Sequence, residues 1–160
     1  MWNDVAVTAQ PIHCPTDVIF VLDESGSIGS TNFDLMKSFV SRLVSRMDID
    51  SGSTRVGLVT YATRVGFSLN LNACRNVSAV LTVIASLRYS RGGTYTHLAL
   101  AHVRTKMLTP AAGDRKHVPN VVVVLTDGRS KKRKATEVST ASFQRVFSFS
   151  VFTLRKVEAN

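Results

Sequence analysis

Two short apolar runs, each closed by an acid, restrict the fold of this chain more than anything else in it. They are DVIFVLD at 17–23 and VVVVLTD at 121–127. Their uninterrupted apolar stretches, VIFVL (18–22) and VVVVL (121–125), have five residues each. A membrane-crossing helix needs about 20, so neither spans a bilayer. Nor do they alternate with polar residues, as a half-solvated strand would. They read as strands covered on both faces, the pattern of a parallel sheet packed between helices. On such sheets ligands bind at the carboxyl ends of the strands. Asp23 and Asp127 both stand there.

The segments between these runs alternate in kind. After the turn ESGSIGS, the residues Phe33, Met36, Phe39, Val40, Leu43, Val44 and Met47 recur at helical spacing. Thr31 and Asp34 have the spacing of a capping pair at that helix's start. RVGLVTYA (55–62) and VGFSLNL (65–71) read as strands joined by a short turn, hence antiparallel. Val77, Val80, Leu81, Ile84 and Leu87 predict a second helix, and 96–108 a third that ends before Pro110. A further helix is expected over 132–145 and a last strand over 146–154. Residues 1–15 contain two prolines and no period, and read as a leader or linker. One domain over 16–160 follows, in the α/β class: a Rossmann-like, doubly wound, mostly parallel sheet with one antiparallel edge strand and helices on both faces.

The turn after the first run contains D-x-S-x-S, formed by Asp23, Ser25 and Ser27. A carboxylate and two hydroxyls are hard oxygen donors of the kind Mg²⁺ prefers. The same residues also suit a turn that merely caps the next helix. Their place at a strand's carboxyl end, with Asp127 at a second, favours the ion. Competing motifs fail on spacing: there is no G-x-G-x-x-G, no G-x-x-x-x-G-K-[ST] and no G-x-S-x-G. His13, His97, His102 and His117 have no metal-ligand spacing. The chain reads as non-enzymatic.

DVIFVLDESGSIGS (17–30), GGTYT (92–96) and VVVVLTDGRS (121–130), in that order, resemble the von Willebrand factor type A domain, called the I domain in integrins. The likeness is greatest to the extracellular-matrix branch, as in matrilins and non-fibrillar collagens. It implies a metal-ion-dependent adhesion site holding Mg²⁺ or Mn²⁺. By the resemblance Ser25, Ser27 and Thr94 supply hydroxyl ligands, and Asp23 and Asp127 coordinate directly or through water. Such an ion keeps an open position for an acidic side chain, so the implied partner is an extracellular protein ligand with an exposed Asp or Glu, collagen-like or otherwise. Tyr95 and Arg129 are candidate rim residues. Relative to the family pattern the chain departs after TDGRS: the last strand and the C-terminal helix are expected to be missing, exposing an apolar edge. Two other readings stay open, a metal-independent structural matrix module and an intracellular scaffold of the same fold.

Charge and cysteines add detail. Lys and Arg number 20 against 11 Asp and Glu, a net +9. Five cations fall in the six residues RSKKRK (129–134). Beside a metal site they would attract acidic partners, including sulfated glycans; otherwise they are a solvated face. Nucleic acid is disfavoured, because no aromatic residues interleave with the cations. Cys14 and Cys74 flank strands separated by one other, at the sheet end away from the site, so they are either a candidate disulfide or two free thiols. Asn76-Val-Ser78 is a candidate N-glycosylation site in a secreted chain. No signal peptide is visible, so secretion is expected of a mature piece, an excised domain or an incomplete product.

Overall fold

A computed structural model describes residues 14–127, 131, 132 and 134–137, together with the backbone of 148–153. Its elements run β1 Thr16–Asp23, α1 Ser30–Val44, β2 Thr54–Tyr61, β3 Val65–Leu69, α2 Val77–Ser86, α3 Thr96–His102, β4 Asn120–Thr126 and β5 Ser148–Thr153. The strands form one sheet in the order β3-β2-β1-β4-β5. β1 pairs in parallel with β2 and β4, β4 in parallel with β5, and only the β2–β3 pair is antiparallel. This is the expected doubly wound α/β architecture.

Alternate residues of the central strands go to opposite faces. Val18, Phe20 and Leu22 of β1 join Leu58, Val123 and Leu125 against Phe33, Met36 and Val40 of α1 and Val80 and Ile84 of α2. Ile19 and Val21 join Val59, Val122 and Val124 against Ala99 and Leu100 of α3, and Val103 and Met107 beyond it. Both faces are therefore dry, which is why the two founding runs lack polar alternation. Among the described residues no helix is long and apolar enough to cross a membrane.

Local chemistry corrects some expected boundaries. α1 does not use the Thr31–Asp34 pair: it begins at Ser30, and its N-cap is Gly29 at φ 78°, with no side-chain cap. The left-handed glycine turns the loop directly into the helix, and its carbonyl takes the Phe33 amide at 3.1 Å. α3 ends at His102, and the chain continues as a π-helical turn over Val103–Met107. α2 is capped as its sequence allows, the Ala79 amide donating to Asn76 Oδ1 at 2.7 Å. Of the helix expected over 132–145, residues 134–137 are helical and the remainder lies outside the described residues.

The amino edge of the sheet is closed by one arginine. Arg115 Nε and Nη2 donate to Asp17 Oδ1 at 2.8 and 2.6 Å, and the Arg115 amide donates to Asp17 Oδ2 at 3.0 Å. The same guanidinium reaches the carbonyls of Gly52, Ser53 and Thr16. It thus ties the loops before β2 and β4 to the start of β1. The candidate Cys14–Cys74 bridge is not formed, and both residues are free thiols. Cys14 is exposed two residues before Thr16, whose amide donates to Ser53; Cys74 is half-buried in a cavity lined by Ile49, Gly52, Thr54 and Arg55.

Candidate metal centre

Parallel pairing sets the site. The β1–β4 register aligns Leu22 with Leu125, which carries Asp23 to the level of Thr126. There the Thr126 hydroxyl donates to Asp23 Oδ2 at 2.7 Å, while the Ser25 amide donates to Asp23 Oδ1 at 2.9 Å. Both carboxylate oxygens are thus held, and Asp23 is fully buried. Asp127 follows Thr126, half-buried, with its Oδ2 out of reach of solvent.

The turn after β1 is folded tightly from several sides. The Glu24 amide donates to Tyr61 O at 2.9 Å, the Gly26 amide to Gly92 O at 2.9 Å and the Ile28 amide to Ser25 O at 3.2 Å. The Tyr89 hydroxyl donates to Ser25 O at 3.0 Å. Fixed in this way, Ser25 Oγ and Ser27 Oγ stand 3.1 Å apart. The Gly26–Gly92 bond also draws in the loop that bears Thr94. That loop is pinned by the Gly93 amide to Thr63 Oγ1 at 2.8 Å, by the Tyr95 amide to Ala62 O at 3.0 Å, and by the Lys131 amide to Thr94 O at 2.9 Å. Gly92 is required: its φ is 126°, and a Cβ there would fall 2.7 Å from Thr63 Oγ1.

The electrostatics follow from burial. Desolvation pushes the Asp23 carboxyl above the ordinary carboxylate range; hydrogen bonds from Ser25 and Thr126 oppose the rise, and the Asp127 charge adds to it. Glu24 is raised for the same first reason, against hydrogen bonds from Ser90 and Thr60. Asp23 and Asp127, one buried and one half-buried and near enough for their charges to interact, favour a cation beside them. Among the described residues there is no cluster of three or more His, Cys, Asp and Glu side chains able to hold a metal. The donor set here is of another type, two carboxylates with hydroxyls.

The structure thus brings Asp23, Ser25 and Ser27 into one turn, seats Thr94 on the loop bonded to that turn, and places Asp127 at the end of the adjoining strand. Tyr95 is half-buried at the start of α3, its ring 6.0 Å from that of His97. Arg129 lies outside the described residues. Asn76 is exposed at the cap of α2, away from this corner. The sequence reading passed over Thr126, Tyr89 and Glu24. Thr126 was the most accessible of these, as a hydroxyl beside an acid at the end of a buried strand parallel to β1.

Comparison with known proteins agrees with this fold. The family model described as von Willebrand factor type A domain matches residues 17–159. Over 118 residues the chain is 42% identical to the collagen alpha-4(VI) chain of Mus musculus, covering 72% of this chain and 5% of that one. Over 142 residues it is 36% identical to matrilin-1 of Mus musculus, covering 86% of this chain and 28% of that one. It therefore spans a small part of the length of these relatives. Among solved structures, proximal thread matrix protein 1 of the mussel byssus, with a zinc-occupied MIDAS motif, superposes with a TM-score of 0.75 at 25% identity, over 86% of this chain and 35% of that one.

Proposed function

The chain belongs to the von Willebrand factor type A family, and we propose that it is a non-enzymatic adhesion domain that captures an acidic side chain of an extracellular matrix protein through a bound Mg²⁺ or Mn²⁺. The observation that carries this reading is the 3.1 Å separation of Ser25 Oγ and Ser27 Oγ. Around octahedral Mg²⁺, with ligands at roughly 2.0–2.1 Å, neighbouring oxygens lie about 2.9 Å apart. The two hydroxyls therefore fit adjacent corners of such a shell. Thr94 is the third hydroxyl of the set, and Asp127 its second carboxylate beside Asp23.

Asp23 has a different part. With one oxygen held by the Ser25 amide and the other by Thr126, it orients the turn and supplies negative charge, and its spare lone pairs reach the ion directly or through water. A divalent ion held mainly by neutral oxygens stays electrophilic and offers a vacant position to an incoming carboxylate. Tyr95, at the start of α3, bears on ligand choice, as does Arg129 by its place in the sequence beside Asp127. The relatives named collagen and matrilin support a matrix setting and an extracellular location.

Calorimetric titration of the full chain with Mg²⁺ and with Mn²⁺, alongside Asp127→Ala and Ser25→Ala, tests the reading. One-site binding by the wild type and its loss in both variants is the expected result. Failure of the wild type to bind either ion would overturn it. Loss of binding to a collagen or matrilin ligand on chelation separates this function from a metal-independent matrix module.

A further inference from the structure

β3 is the outermost strand of the sheet, paired with β2 on one side and with no described strand on the other. Its sequence, VGFSL, has neither a charge nor a proline, the devices that usually keep an open edge from pairing. Residues 66–68 are exposed. Three large hydrophobic side chains are exposed among the described residues, and two of them border this edge. Phe67, 42% exposed, stands on the α2 face beside Ser86 and Leu87. Leu98, 39% exposed, belongs to α3 on the opposite face. It lies one helical turn from His102, whose Nε2 is 3.1 Å from Ser68 Oγ, so both residues occupy the stripe of α3 that borders β3.

Backbone direction decides what this edge accepts. The Phe67 amide points inward and donates to Thr60 Oγ1 of β2 at 2.9 Å. Successive residues of a strand direct their N–H and C=O groups to alternate sides, so those of Gly66 and Ser68 point outward. These two residues bracket Phe67 symmetrically. When a second β3 pairs antiparallel with the first, centred on Phe67, each Gly66 falls opposite a Ser68. Both Gly66–Ser68 pairs then exchange two backbone hydrogen bonds. Phe67 meets its own counterpart as the non-hydrogen-bonded pair, with Cα atoms about 4.5 Å apart, where side chains pack closest. No like charges are opposed: Arg64 falls opposite Asn70, and the two Arg64 residues end about 20 Å apart.

We propose that β3 pairs with β3 of a second copy in this register, joining two five-stranded sheets into one across a two-fold axis. The occupant is a second copy because the edge is its own complement, as an isologous contact requires. A centre on any other residue of β3 would pair Gly66 or Ser68 with a residue outside the strand. The axis stands perpendicular to the sheet, so Leu98 of both copies lies on one face of the joined sheet and Phe67 of both on the other. The same axis reverses the strands, and the carboxyl ends of the two β1 strands point in opposite directions. Under the adhesion reading, and only in this consequence resting on it, one dimer presents metal corners to ligands on opposite sides.

The test is sedimentation equilibrium of the full chain over a range of concentrations, in reductant and chelator. A monomer–dimer equilibrium is expected, and it should strengthen as NaCl screens the net charge of +9. Phe67→Asp sets two carboxylates against each other at the axis and should leave only monomer, with an unchanged melting curve. In a Cys14→Ser/Cys74→Ser background, mild oxidation should crosslink Phe67→Cys as a dimer. It should spare Ser68→Cys, whose two copies lie more than about 7 Å apart at Cα. Monomer at every concentration would overturn the proposal, as would a dimer that survives Phe67→Asp or equal crosslinking of the two cysteine variants. Growth beyond the dimer would also reject it, since a β3 pair leaves no second β3 edge open.

Discussion

Removing the Arg115 side chain should be among the costliest single truncations outside the apolar core. Asp17 is fully buried, while the Arg115 side chain retains 21% exposure. Arg115→Ala deletes both guanidinium bonds to Asp17 Oδ1 and leaves the carboxylate only the Arg115 amide at 3.0 Å. Breaking a buried pair by removing one partner costs about 3–5 kcal/mol. The retained amide and the entry of water into the vacated, partly exposed site favour the low end, about 3 kcal/mol. For a domain of this size that is a melting-point drop of about 6–12 °C. Asp17→Ala should cost less, because Arg115 can turn towards solvent. In a double-mutant cycle by urea unfolding, the Asp17→Ala/Arg115→Ala variant should therefore be more stable than the sum of the single losses predicts, by at least about 0.5 kcal/mol. Asp17 and Asp23 are six residue steps apart on β1, about 20 Å. Mg²⁺ affinity of the folded variant should accordingly match the wild type. An Arg115→Ala protein within about 0.5 kcal/mol of wild type, or strict additivity in the cycle, would refute the reasoning.

Other consequences can be checked separately. Thr126→Val removes the hydroxyl that donates to Asp23 Oδ2 at 2.7 Å; Mg²⁺ affinity should fall about 10–100-fold by calorimetry, and unchanged affinity would exclude Thr126 as a positioning residue. Burial pushes the Cys74 thiol up, so less thiolate is present at pH 8 and iodoacetamide should label exposed Cys14 first, with Cys74 labelling still rising above pH 9; equal rates by peptide mass spectrometry would contradict this. In a secretory host a glycan should be found on Asn76, since attachment at Nδ2 leaves Oδ1 free to cap α2. Asn76→Ala should then lose both the glycan and about 1 kcal/mol, whereas Asn76→Asp loses the glycan alone. A secreted product with bare Asn76 would remove the site.

Much of the frame was legible because it rests on local composition. The runs at 18–22 and 121–125 had to be buried on both faces, and burial of that kind implies parallel strands between helices. Asp23, Ser25 and Ser27 were readable for a related reason: they are close in sequence, and one turn suffices to gather them. What was not legible depends on contacts distant along the chain. Nothing near Asp17 announces Arg115, and nothing near Asp23 announces Thr126; both pairings exist only once β1 and β4 lie side by side. The start of α1 was misplaced for a different reason. Thr31 and Asp34 have the spacing of a cap, but Gly29 adopts a left-handed conformation that makes the turn without either.

The parallel register of β1 also has a mechanical side. A pull between the amino edge, where Arg115 anchors the strand, and a ligand at the carboxyl edge acts along the axis of β1. That strand is paired on both sides, from Thr16 to Asp23 with β2 and from Asp17 to Leu22 with β4. Traction in this direction loads the ladder bonds in shear, all at once, instead of peeling them one by one. Under the proposed adhesion role, β1 would carry a ligand's pull as a tendon does.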